Sequence, residues 1–494
     1  MLNSLPASRL AQVLGFSFLL TASAVAQIGT RFPSEKKIVP DPVTGVPLEF
    51  LTSTPAGDSK IYQTHHQWTS DGKWLIFRSN RVRGQAMAVN EETGDIVQVT
   101  ENGYTGMLCL AEHSMSLYFA RIKSQPPVDA NSGTAYGAPA AVRDAPATVA
   151  ARGAEAATPG ASPAPGMPPG AGRRGPPSGP AEIVRVDLGK LFADSAAGKV
   201  GPATDYEHVC GVIPTEMGAV GDVALDPTED FVYARIGSKE YAAQHLAPDM
   251  KVEGPYGPRN MGAGPTGLAS INLHTGEVKL IVAVPFQIGH VQTNPWVPGE
   301  IVFCWETGGK APQRTWTVRS DGTGLRPLYP EAPYEWITHE AVITKDEVAI
   351  AIIGHQKVGT KNAWGIAGTQ EHPTGLGIVN LRTREMRIAG QLPFGDPGRS
   401  VWHVNGSGDG RWAVADDFKY RLWLIDRHTN EMILLADLGH MTTAQDHIHP
   451  TFSADCTKIE VECAMLSENK RAMNICVVPV PPSWLKRTYT DKIQ

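Results

Sequence analysis

Five of the 15 histidines in this 494-residue chain recur at one place in a repeating pattern. His66, His403 and His449 each stand four residues before a serine (Ser70, Ser407, Ser453), His290 stands four before Asn294, and His339 five before Thr344. Any one of them alone reads as a hydrogen-bonded structural histidine; five at a shared position argue for a site. Neutral imidazoles within a few ångströms of each other suit a divalent transition metal, and an imidazole left off the metal is a proton acceptor near neutral pH. In the run Gln445-Asp446-His447-Ile448-His449 the two histidines are two apart, so on a strand both leave the same face, and Gln445 continues that parity. This triplet offers two ring nitrogens and an amide oxygen to one ion. Other motifs carry less. The glycines at Gly262, Gly264 and Gly267 match a dinucleotide-loop pattern, but Pro265 lies inside it and strand-like residues follow. No G-x-S-x-G nucleophile elbow occurs, and Asp416-Asp417 reads as an acidic pair of the kind common at turns.

The elements that must position these histidines are short strands. Polar turns of the Asn-x-x-Thr-Gly-Glu type recur from Asn90, Asn272, Arg319, Asn380 and Asp426, the last two 46 residues apart, a spacing that suits a four-stranded propeller blade. A second turn opens near Thr69, Leu225, Asn294, Thr344, Ser407 and Ser453, and with a unit beginning near Tyr104 the count is seven. Runs such as KWLIFRSN, DFVYARI and KIEVECA are rich in β-branched and aromatic residues, and no amphipathic helix of convincing length competes with them. The expected fold is all-β, a seven-bladed β-propeller of four-stranded blades whose first strands line the channel. The last unit lacks its outermost strand while VPLEFLTST near the N-terminus has no unit of its own, so the termini are expected to share a blade and close the ring.

Residues 1–26 read as a secretory signal: Arg9, an apolar run from Leu10 to Ala22, then Ala24-Val25-Ala26. The expected mature chain begins near Gln27 and is periplasmic or secreted. Residues 27–494 are expected to form a single propeller domain, a monomer, interrupted in its second blade by the Ala/Pro/Gly-rich stretch 125–181. That stretch has too little apolar bulk to offset its ordering entropy and is expected to be disordered. No later run approaches the roughly 20 apolar residues of a membrane span. A net charge of −6 gives no basic face for nucleic acid, and an acidic ligand would have to be met by local positive charge. The six cysteines lack zinc spacing and read as buried thiols, with Cys463 and Cys476 the pair placed for a disulfide.

From about Val39 to Val480, outside the insertion, the residues resemble the oligogalacturonate lyases, manganese-dependent polysaccharide lyases built on a seven-bladed propeller. The resemblance is carried by DPVTG at Asp41, HHQWTSDGKWLIFRSNR from His65, IGHVQTNP from Ile288, RTWTVRSDGTGLR from Arg314, WITHE from Trp336 and HIHPTFSAD from His447. It implies that His290 abstracts the proton, that His339, His447 and His449 bind Mn2+, and that the substrate is an acidic oligosaccharide of 4-linked uronates cleaved by β-elimination. The family's fourth ligand is a glutamine three residues before its H-x-H; here Gln445 stands two before it. The family's supporting arginine has no counterpart near Gly267, leaving Arg259, Arg314 and Arg399 as candidates, and His66 and His403 as further channel residues. The alternative from another class is a non-catalytic periplasmic propeller that binds a ligand or partner protein and needs no histidine ring.

Overall fold

The computed structural model describes residues 27–122, 180–256, 261–355, 374–393, 400–439 and 446–489. Residues 1–26, read as a secretory signal, nearly all of the insertion, and Arg259, Arg399 and Gln445 lie outside these residues.

The turns set the frame. At the first turn of a blade a hydroxyl locks the chain: Ser407 Oγ donates to Asp409 and accepts from the Trp412 amide, and Ser453 donates likewise to Asp455 and accepts from the Lys458 amide. At the outer turns, Asn90, Asn272, Asn380 and Asp426 each accept from the amides two and three residues on. These Asx turns explain the recurrent Asn-x-x-Thr motif. Between the turns the chain forms seven antiparallel sheets, five of four strands and two of five, among the described residues. The innermost strands are Asp58–Lys60, Thr105–Leu110, Ala219–Leu225, Ile288–Thr293, Glu335–Thr344, Val401–Gly406 and Thr451–Phe452, in blades 1 to 7.

Side-chain alternation packs each blade on both neighbours. In strand Trp74–Ser79, Leu75 and Phe77 meet Ile475 and Val477 of blade 7, whereas Ile76 meets Leu108 and Phe119 of blade 2. All are fully or almost fully buried, each stabilising the fold by about 1.5–3 kcal/mol. Closure follows the expected route: Pro47–Phe50 pairs with Asn474–Pro479, so the N-terminal segment completes the last blade. Lys37–Pro40 then adds a fifth strand to blade 7, and Arg31–Phe32 a fifth to blade 1. These two additions correct the uniform four-stranded expectation.

One further correction concerns a local element, and the reading of the cysteines as thiols is borne out. Leu188–Ala197 is an amphipathic helix, capped by the Asp187 side chain and ended by Gly198 at φ 65°, which buries Leu191 and Phe192. All six cysteines are free thiols; Cys463 lies opposite Asn474 and Cys476 opposite Val461, not opposite each other. At the insertion, Ile122 and Ala181 are direct cross-strand partners, so the ends of that segment sit side by side. No described helix is long and apolar enough to cross a membrane.

Candidate metal and proton-transfer centre

In five blades the innermost strand shifts register: between Thr105 and Leu108, Ala219 and Val223, Gly289 and Gln292, Val401 and Val404, and, as one of three steps in blade 5, Thr338 and Glu340. Such a bulge turns side chains out of the ladder. In blades 2 and 3 it holds Gly106 and Gly221, at φ 75° and 80°, whose backbones touch; a Cβ on Gly106 would come within 2.1 Å of Gly221 O. In blades 4 and 5 it holds His290 and His339 at φ 52° and 30°, and blade 7 has His449 at φ 44°. Left-handed backbone at a non-glycine residue costs on the order of 1–3 kcal/mol and marks functional positions.

Four of the five expected histidines converge. His403 is central, with ring centroids 4.1 Å from His339, 3.9 Å from His449 and 5.4 Å from His447. His290 lies 5.7 Å from His339. His339 Nδ1 is 2.7 Å from the Trp402 carbonyl and His403 Nδ1 is 3.0 Å from Asp416 Oδ2. Carbonyl and carboxylate can only accept, so each Nδ1 carries the hydrogen and each Nε2 keeps its lone pair. Burial, reinforced by the neighbouring imidazoles, pushes both rings well below the ordinary histidine range, so both are neutral at pH 7. His447, stacked on Tyr420, has a buried Nδ1 with no hydrogen-bond partner among the described residues, 3.7 Å from Asp416. His449 spans Gln63 Oε1 at 3.2 Å and Asp446 Oδ1 at 3.0 Å. Lone pairs on neutral imidazoles, an orphaned ring nitrogen and a flanking carboxylate fit a divalent transition metal.

His290 has a different setting. Its Nδ1 lies 2.9 Å from Glu340 Oε1 and its Nε2 3.3 Å from Glu306 Oε2. Arg314 Nε donates to Glu340 at 3.2 Å, and Arg314 Nη2 is 3.5 Å from Glu306. Burial alone would raise the Glu340 carboxyl, but Arg314 and His290 outweigh it and hold it at about 2. Glu306 is lowered by the same balance. One fully buried carboxylate, one partly buried carboxylate, one guanidinium and one imidazole thus form a charge network.

His66 is not part of the cluster. Its side chain is 42% exposed and pairs with Glu112. The reason is a one-residue slip of frame: the residue that closes the first turn in blade 1 is Thr69, whose hydroxyl bonds Asp71 as Ser407 bonds Asp409. Four residues before Thr69 stands His65, which is buried with Nε2 3.0 Å from the Val223 carbonyl. In blade 3 the turn residue is Asp226, which accepts from the Thr228 amide, and four residues before it stands Asp222. The H-x-H parity argument also fails locally, because residues 447–450 form no strand; His447 faces Asp416 and His449 faces Asp446. Arg314 is in the site. The sequence reading missed Tyr62, whose ring lies 5.2 Å from His290 and 5.1 Å from His449, together with Gln63, Glu306, Glu340 and the role of Asp416.

No family model matches the sequence, and no curated protein matches it. Solved structures do. An oligogalacturonate lyase in complex with manganese superposes with a TM-score of 0.62 at 16% identity, covering 93% of this chain and 100% of that one. An oligogalacturonate lyase from Vibrio parahaemolyticus gives 0.60 at 17% identity, again over 93% and 100%. The chain has the seven-bladed fold of these proteins.

Proposed function

We propose that the protein is an exported, metal-dependent lyase that cleaves 4-linked uronic-acid oligosaccharides by β-elimination. The observation that carries this reading is the division of the channel into two adjoining parts: a group of metal-suited imidazoles, and His290 one ring away, its Nδ1 on a buried carboxylate. His339, His403, His447 and His449 would hold the cation, with manganese the ion in the complex of similar fold. A divalent cation there supplies positive charge to the uronate carboxylate and lowers the cost of the negative charge that develops when the C5 proton leaves.

The chain's own residues do the rest. Arg314 keeps Glu340 ionised, and the Glu340 carboxylate, 2.9 Å from His290 Nδ1, stabilises the imidazolium that forms. His290 Nε2 accepts the C5 proton, a step typically contributing about 10²–10⁴-fold, and Glu306 is placed to take that proton onward. Loss of the C4 oxygen substituent then leaves an unsaturated sugar. A ligand histidine cannot serve as this base, because the metal takes the lone pair. The test is the ultraviolet absorbance of the conjugated product on a panel of uronate oligosaccharides with manganese. Turnover that disappears in His290→Ala while bound manganese persists is expected; silence across the panel overturns the reading in favour of a non-catalytic binding propeller.

A further inference from the structure

We infer that His290, Cys304 and Glu306 form a second cation site, selective for a thiophilic divalent ion such as zinc, and that its occupancy blocks His290. The inhibitory half of this inference rests on the reading of His290 as the base; the binding half does not.

The imidazole nitrogen, the thiol sulfur and a carboxylate oxygen all lie within 4.8 Å of one another. Cys304 Sγ is 3.8 Å from Glu306 Oε2, and His290 Nε2 is 3.3 Å from the same oxygen. The strand geometry builds the cluster. Cys304 and Glu306 are two apart and reach the same side, and Cys304 pairs directly with Gly289. Gly289 leaves the room they use, since a Cβ there would lie 2.7 Å from Glu306 Cβ and 3.5 Å from Cys304 Sγ.

The donor types suit a cation. His290 Nε2 faces Glu306 Oε2 at 3.3 Å, and the Cys304 sulfur belongs to the same group of ligand atoms. The Cys304 thiol donates to Glu306 Oε2 at 3.8 Å, and a cation taking the place of that proton would meet nitrogen, sulfur and oxygen donors together. A further carboxylate adds to this field: Asp222, 2% exposed, lies 3.8 Å from Arg235 Nε, and its charge reaches both His290 and Glu306. One nitrogen, one sulfur and one oxygen donor with a fourth position open is a zinc-type ligand set, whereas manganese favours oxygen and nitrogen; Cys304 is the discriminating ligand. Binding displaces the Cys304 thiol proton to solvent and places the ion on the His290 lone pair, where it excludes proton abstraction.

Cobalt(II) is the probe, added to the purified full chain with manganese present. The wild type is expected to show a sulfur-to-cobalt charge-transfer band that zinc removes and excess manganese does not. Absence of that band in the wild type overturns the site without recourse to any variant. Cys304→Ser, with Cys304→Ala as a second variant should serine fail to fold, is expected to lose the band and to weaken zinc affinity by at least about tenfold, the lower end of what loss of even a supporting partner costs a metal site. A band unchanged in the folded variant would place the thiol elsewhere and refute the assignment. Zinc is expected to inhibit wild-type turnover and to lose at least about tenfold potency in the variant, each measured against its own zinc-free rate. A cobalt band without inhibition overturns the inhibitory half. A cobalt band in a chain inactive on every uronate leaves the cation site standing and removes the lyase reading.

Discussion

Glu340→Gln isolates the charge at the centre of the His290 network while keeping its shape. Glu340 is fully buried, 2.9 Å from His290 Nδ1 and 3.2 Å from Arg314 Nε, and these partners lower its pKa from 4.5 to about 2. At about 1.4 kcal/mol per pKa unit, that depression corresponds to roughly 3 kcal/mol of folding stability at neutral pH. Breaking a buried ion pair costs about the same, 3–5 kcal/mol. The sign is that of a depressed carboxylate: the contribution is complete above the unfolded value near 4.5 and is lost as pH falls towards 2. Urea unfolding of wild type and variant is therefore expected to differ by about 3 kcal/mol at pH 7 and to converge in acid. If the same charge stabilises the imidazolium, about 3 kcal/mol is also a loss of roughly 10² in kcat. A stability gap that is absent, or that stays constant from pH 7 to the acid limit, refutes the argument, because packing alone carries no such pH dependence.

Asp416→Asn, which removes the carboxylate orienting His403 Nδ1, is expected to weaken manganese binding about 10–100-fold by calorimetric titration. His66→Ala is expected to leave both affinity and turnover at wild-type levels, since its partner is Glu112; a loss of metal there would restore His66 to the site. Gly106→Ala, at φ 75° with Gly221 O 2.1 Å from the new Cβ, is expected to lower Tm by far more than Gly72→Ala, which has φ 70° but nothing within 4 Å; equal shifts would show that the close approach of blades 2 and 3 carries no strain. Replacing residues 125–178 by a short turn is expected to leave cooperative unfolding intact, because Ile122 and Ala181 already pair; loss of cooperativity would assign the insertion a place in the core.

The propeller was legible because its frame is written in local chemistry. A hydroxyl or Asx side chain that bonds amides two to five residues on leaves the same motif wherever it occurs, and the unpaired strand at each end announced the shared blade. The two fifth strands were not legible, since Arg31–Phe32 is two residues long and Lys37–Pro40 is largely exposed, with no alternation to mark them. The helix at Leu188–Ala197 was hidden for another reason. It follows a strand with no break, and its buried positions gain their meaning from blade surfaces that the sequence does not show.

The site divides along the same line. Histidine recurrence could be counted along the chain, but the count depended on choosing the right turn residue, and Thr69-Ser70 offers two hydroxyls side by side. The choice of Ser70 moved the first histidine from His65 to His66, from a buried ring to a half-exposed one. Glu340 could not be counted at all, because its partners His290 and Arg314 lie on another blade. His339 and Glu340 are adjacent in sequence, yet His339 turns to His403 in blade 6 while Glu340 turns back to His290 in blade 4. The bulge between Thr338 and Glu340 makes this division possible. A single dipeptide thus supplies one group suited to hold a metal and another that orients a base, and the two roles separate only once three blades stand around the channel.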